Sequence, residues 1–179
     1  MRMCVLVVCA MLCACVATVG AEDNMADLGF RLGYQEFREG DGSIMGGAYL
    51  RLPWKSVVMG ECTIMYHTHE EGGVDYELIP IQLSAMVFVL RRDLAFSPYL
   101  LAGIGGYITR QVEDDDSESE FDLGWHLGFG LDFRLSDRVF VEGDVRYIWL
   151  DVDFEGETAA DALSDFNNLI GSVGIGFRL

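Results

Sequence analysis

From Phe121 to Leu135 the chain alternates without exception between large apolar side chains and small, polar or charged ones. Phe121, Leu123, Trp125, Leu127, Phe129, Leu131, Phe133 and Leu135 share one parity. Asp122, Gly124, His126, Gly128, Gly130, Asp132 and Arg134 share the other. A helix would scatter both sets around its circumference. A strand sends alternate side chains to opposite faces, so a period of two fixes a long strand with one wholly apolar face.

The period recurs along the chain. In 28–34, Leu28, Phe30, Leu32 and Tyr34 oppose Gly29, Arg31 and Gly33. In 44–54, Ile44, Ala48, Leu50, Leu52 and Trp54 oppose Gly47, Tyr49, Arg51 and Pro53. Residues 57–68 set Val58, Cys62, Ile64 and Tyr66 against Glu61, Thr63, Met65 and His67. Similar stretches follow at 76–89, 95–110 and 139–150, and from Asn168 to Leu179. Eight strands are therefore expected. The connections near 39–43, 69–75, 111–120 and 153–166 read as long, polar and acidic, and those near 53–56, 90–93 and 135–138 as tight. Short turns at one end and long loops at the other describe an up-and-down antiparallel meander.

A soluble barrel would turn these apolar faces inward. Eight bulky apolar faces would overfill the interior of an eight-stranded barrel, which only just holds ordinary side chains. The opposite faces combine glycines with isolated charges of both signs: Arg31, Arg51, Glu61, Asp132, Arg134, Glu142, Asp144, Arg146 and Arg178. A water-facing surface would carry Lys, Thr and Ser in quantity. These charges suit pairing inside a narrow lumen, where they form a structural network. Trp54, Trp125 and Trp149 lie on the apolar faces near strand ends, as interfacial aromatics do. The expected fold is all-β: an eight-stranded antiparallel up-and-down transmembrane β-barrel. A soluble lipocalin-like binding barrel is the alternative.

The first 21 residues read as a signal peptide. Arg2 precedes a nearly apolar run from Cys4 to Val19, and Val19-Gly20-Ala21 supplies the small residues of a cleavage site. The barrel domain is then 22–179. Leu12-Cys13-Ala14-Cys15 is a competing lipoprotein-type match, with Cys15 as the lipidated residue. Four of the five cysteines lie in this leader, so Cys62 has no internal disulfide partner. The formal charge of −17 includes Arg2, so the remainder carries −18 and repels phosphate backbones; nucleic acid is excluded as a partner.

The chain closes on Val173-Gly174-Ile175-Gly176-Phe177-Arg178-Leu179. Val173, Ile175, Phe177 and Leu179 resemble the C-terminal signal read by the barrel-assembly machinery, with Leu179 where an aromatic is usual. Further stretches resemble the OmpA/OmpX-type outer membrane protein β-barrel family: Ile79-Pro80-Ile81, Pro98 through Gly105, Gly128-Phe129-Gly130-Leu131-Asp132 and Glu142 through Tyr147. The resemblance runs over 26–179. It implies a cell outer membrane location in a Gram-negative-type bacterium, outer-membrane lipid and the assembly machinery as partners, and a monomer. Members act variously as anchors, adhesins and defence factors, so it implies no one activity.

Three groups invite a chemical role. His67 and His69 with Glu70-Glu71 have a metal-like spacing, but no third fixed ligand is evident. The acidic run 113–120 lacks the glycine turn and ligand order of a Ca²⁺ loop and reads as a solvated loop. Deacylases built on such barrels carry His and Ser two residues apart on one strand; at that spacing from His126 stands Gly128, and strand spacing supports no other Ser/His pair. No metal, cofactor or catalytic residue is expected, and the chain is read as no enzyme. The expected role is structural or in surface interaction through acidic outer loops, with a narrow channel or transporter as the alternative.

Overall fold

The computed structural model describes residues 25–37, 43–71, 74–113, 116–151 and 166–179. The proposed signal peptide, the Cys15 site and most of the connections expected at 39–43 and 153–166 lie outside the described residues. Eight strands are present: β1 Asp27–Phe37, β2 Ser43–Lys55, β3 Val58–Glu71, β4 Val74–Phe88, β5 Phe96–Glu113, β6 Asp116–Arg134, β7 Val139–Asp151 and β8 Phe166–Arg178. Each pairs with its neighbour in chain order, and β1 pairs antiparallel with β8, from Asp27 opposite Arg178 to Phe37 opposite Phe166, so the barrel is closed. Closure leaves no strand edge, the condition for crossing a membrane with sheet.

The faces follow the parity of the sequence. Leu28, Phe30, Leu32, Leu83, Leu100, Ile104, Leu127, Phe129 and Val173 are exposed on the outside, Phe129 at 62%. Arg31, Arg51, Glu61, Glu142, Asp144 and Arg146 are buried inside, Arg51 completely. So continuous an apolar exterior has no place in water and fits acyl chains, while the closed ladder satisfies the backbone.

The wall is taller than alternation alone suggests. The stretches 69–75 and 111–120, expected as loops, are largely strand: pairing runs on to Glu71 with Val74 and to Glu113 with Asp116. These segments are polar on both faces and so show no apolar stripe. Their ladders still close, because a strand standing above the bilayer meets water on its outer side. The tight connections lie where the alternation breaks, between β2 and β3, β4 and β5, and β6 and β7.

Inside the barrel, two apolar clusters lie at opposite ends. Met45, Met65, Tyr107, Ile148 and Ile170 fill the half toward the long loops. Met59, Met86, Phe88, Tyr99 and Leu101 fill the half toward the tight turns. The charged layer lies between them.

Candidate functional site

Three arginines and four carboxylates from five strands meet in mid-lumen. Arg31 on β1 donates from Nε to Glu142 (3.0 Å) and from Nη2 to Glu61 (2.9 Å), with Asp144 3.4 Å from its Nη1. Arg51 on β2 donates to Glu61 (2.8 Å) and Asp132 (3.1 Å), and also pairs with Glu142. Arg146 on β7 donates to Glu61 (2.7 Å) and, from Nε and Nη2, to both oxygens of Asp144 (3.2 and 2.8 Å). Glu61 is the hub, touched by all three guanidiniums. Desolvated charges are tolerated only when paired and hydrogen-bonded, and forked guanidinium–carboxylate contacts provide both.

Neutral groups complete the lattice. Gln82 accepts from Arg146 (2.9 Å) and donates to the Tyr107 hydroxyl (3.0 Å). Thr63 donates to Glu61 (3.0 Å), and Ser172 donates to Asp144 (2.8 Å). The Tyr49 ring lies under the guanidiniums of both Arg31 and Arg51, at 4.5 and 4.6 Å from its centroid, a cation–π arrangement strengthened by the burial of all three side chains. Gly29 makes room for that ring: a Cβ there would lie 2.2 Å from Tyr49 Cζ.

Two of the nine charged residues read from the sequence stand apart. Arg178 lies at the tight-turn mouth, with its Nε 3.5 Å from Asp27, which also pairs with Arg92. Arg134 is half-buried on the same rim, and no ion pair to it is found among the described residues. Asp27 escapes a reading by isolated pairs, although its inward parity with Arg31 on β1 marks it. Arg92 carries no such mark, because it lies in a turn where parity gives no direction.

The structure also joins two residues that strand spacing left separate. Ser84 on β4 and His126 on β6 meet at 2.8 Å, Oγ to Nε2. They lie in one cross-strand row with Gly103 on β5 between them. A Cβ on Gly103 would come within 2.8 Å of His126 Nε2 and 1.9 Å of the Leu83 carbonyl oxygen, so only glycine lets the two side chains meet across β5. Spacing along one strand cannot show such a contact; the register across three strands does. Both residues are buried, and His126 Nδ1 has no hydrogen-bond partner among the described residues. No group among the described residues stands in the place of the third member that orients a catalytic histidine.

His67 also points into the lumen, its Nδ1 3.1 Å from the Ile44 carbonyl oxygen. The side chains of His69, Glu70 and Glu71 lie outside the described set, as do those of 113–118. Among the described residues no three His, Cys, Asp or Glu side chains are grouped to hold a metal.

Comparison with known proteins agrees with this architecture. The 25 kDa outer-membrane immunogenic protein of Brucella melitensis is 35% identical over 86 residues, 45% of this chain and 38% of that protein. The chain therefore spans well under half the length of the curated relatives it matches. Among solved structures, Neisserial surface protein A superposes with a TM-score of 0.63 at 12% identity, covering 90% of this chain and 99% of that one. The N-terminal β-barrel domain of Pseudomonas aeruginosa OprF gives 0.60 at 13% identity, covering 88% of this chain and all of the other. At such identities these two speak for the fold alone. The family model for the outer membrane protein β-barrel domain matches residues 5–177, and the chain belongs to that family as an outer-membrane β-barrel protein.

Proposed function

We infer that the barrel is a closed, non-enzymatic anchor that holds acidic outer segments at the cell surface and passes no solute through its lumen. The observation that carries this reading is the filled cross-section: the lattice around Glu61 spans the lumen, and an apolar cluster covers it at each end. An ion entering would have to cross an apolar layer, displace a set of interlocked ion pairs, and cross a second apolar layer. Ser84 and His126 lie within the same closed interior, out of reach of a substrate. The relatives' name calls them immunogenic, which suits a barrel whose long connections face the cell exterior.

Planar-bilayer recording tests the reading. Purified protein is expected to give no unitary conductance above the lipid background. Regular steps from the folded, heat-modifiable form would establish the channel alternative. Antibody raised against the sequence 152–165 is expected to label intact cells. Labelling only after the outer membrane is permeabilised would remove the surface role.

A further inference from the structure

Charge is divided sharply along the barrel axis. The stretches 36–42, 70–77, 113–122 and 151–165, all at the long-loop end, hold 20 of the 29 acidic residues and one basic residue, Arg38. Among the described residues the tight-turn end has the opposite balance: Lys55, Arg91, Arg92, Arg134, Arg138 and Arg178 against Asp27, Asp93 and Asp137. In barrels of this family the short turns face the periplasm, so the basic rim lies at the inner leaflet.

The rim is one continuous surface. Backbone hydrogen bonds join the tight turns and chain ends in sequence: Phe88 to Val57 (2.8 Å), Arg134 to Ala95 (2.9 Å), Arg178 to Arg138 (2.8 Å) and Leu179 to Ala26 (2.8 Å). Five arginines therefore occupy a contiguous arc from the β4–β5 turn to the end of β8, and Lys55 continues it on the β2–β3 turn. The acids offset them only in part. Asp93 pairs with Arg91 at 2.9 Å, while two guanidiniums, Arg92 and Arg178, share the single buried carboxylate of Asp27. Nε of both Arg92 and Arg178 has no hydrogen-bond acceptor among the described residues. Lys55, Arg134 and Arg138 have no carboxylate partner among the described residues.

Beside these cations stand exposed apolar side chains: Trp54 next to Lys55, Leu90 and Leu94 around Arg91, and Phe133 and Leu135 flanking Arg134. A surface that is apolar on its membrane side and cationic just beyond sets its charges at headgroup depth. We propose that this rim binds anionic phospholipid headgroups of the periplasmic leaflet, guanidiniums clasping the lipid phosphates while Trp54, Leu94, Phe133 and Leu135 contact the acyl chains. A soluble polyanion would use the charges and leave the apolar band unpaired. The acidic outer end has no such complement, so lipid capture is one-sided. The proposal rests on the barrel's orientation and not on the sealed lumen, so it and the anchor reading can fail separately.

The test is lipid retention. Folded protein is equilibrated in nanodiscs of equal phosphatidylcholine and phosphatidylglycerol, moved to mild detergent, and its retained lipids are counted by native mass spectrometry. Wild type is expected to keep phosphatidylglycerol in several-fold excess. Replacing Lys55, Arg91, Arg134 and Arg138 together by glutamine is expected to bring that excess down to near parity. Arg110→Gln, at the far end of β5, leaves it unchanged. The heat-dependent shift on gels confirms that each variant is folded, and none of the four side chains belongs to the lumen lattice. Equal retention of the two lipids by wild type, or an undiminished preference in the quadruple variant, overturns the proposal. So does release of the lipid by millimolar glycerol phosphate, which would assign the rim to a soluble phosphate compound.

Discussion

Single atoms decide whether this lumen packs. At Gly103 an added methyl would meet the Leu83 carbonyl oxygen, a backbone atom that cannot swing aside, whereas at Gly60 it would meet nothing within 4 Å. Gly103→Ala is therefore expected to lower the unfolding free energy in lipid vesicles by about 1–3 kcal/mol, the range for overpacking a tight interior. Gly60→Ala should leave the urea midpoint unchanged. Arg146 has a different role, because its removal leaves Glu61 with one guanidinium fewer, Gln82 without its donor, and Asp144 with only its Arg31 and Ser172 contacts. Breaking one partner of a buried charge set costs about 3–5 kcal/mol. Arg146→Ala is accordingly expected to lower thermal stability strongly while conductance stays at background. Arg134→Ala, on the rim, should shift stability by less than about 0.5 kcal/mol. A variant that opened a conducting pore without losing stability would mean that the lattice is a gate and not a filling.

At the scale of the strand, parity along β6 sets the environment of each side chain. Leu127 lies near the middle of the apolar run, exposed on the outer face and paired in register with Ala102 and Tyr147. Leu127→Arg should cost about 2–4 kcal/mol at the bilayer midplane, measured by urea unfolding in vesicles, whereas a negligible effect would take Leu127 out of the lipid. The sequence shows such strands clearly, because a two-sided wall between lipid and lumen imposes opposite chemistry on successive residues. Where β3–β6 rise beyond the bilayer that contrast fades, and 69–75 and 111–120 read as loops although the backbone is laddered to Glu71 and Val74 and to Glu113 and Asp116. The site was legible to the same degree. Inward parity identifies Arg31, Arg51, Glu61 and Arg146, but which carboxylate each meets depends on register and on the room left by glycines. For that reason the Ser84–His126 contact across Gly103, and the separation of Arg178 from the lattice, emerge only from the closed barrel.

The molecule as a whole reverses the arrangement of a soluble domain: a charged lattice lies buried on the axis, and most of the described leucines, phenylalanines and tryptophans face outward. Spin labels placed one at a time from 123 to 133 on a Cys62→Ser background, in reconstituted vesicles, probe that reversal most directly. Odd positions are expected to collide with oxygen dissolved in the lipid and to be shielded from a water-soluble nickel chelate; even positions are expected to be shielded from both. Odd positions open to the nickel chelate and closed to oxygen would contradict the account.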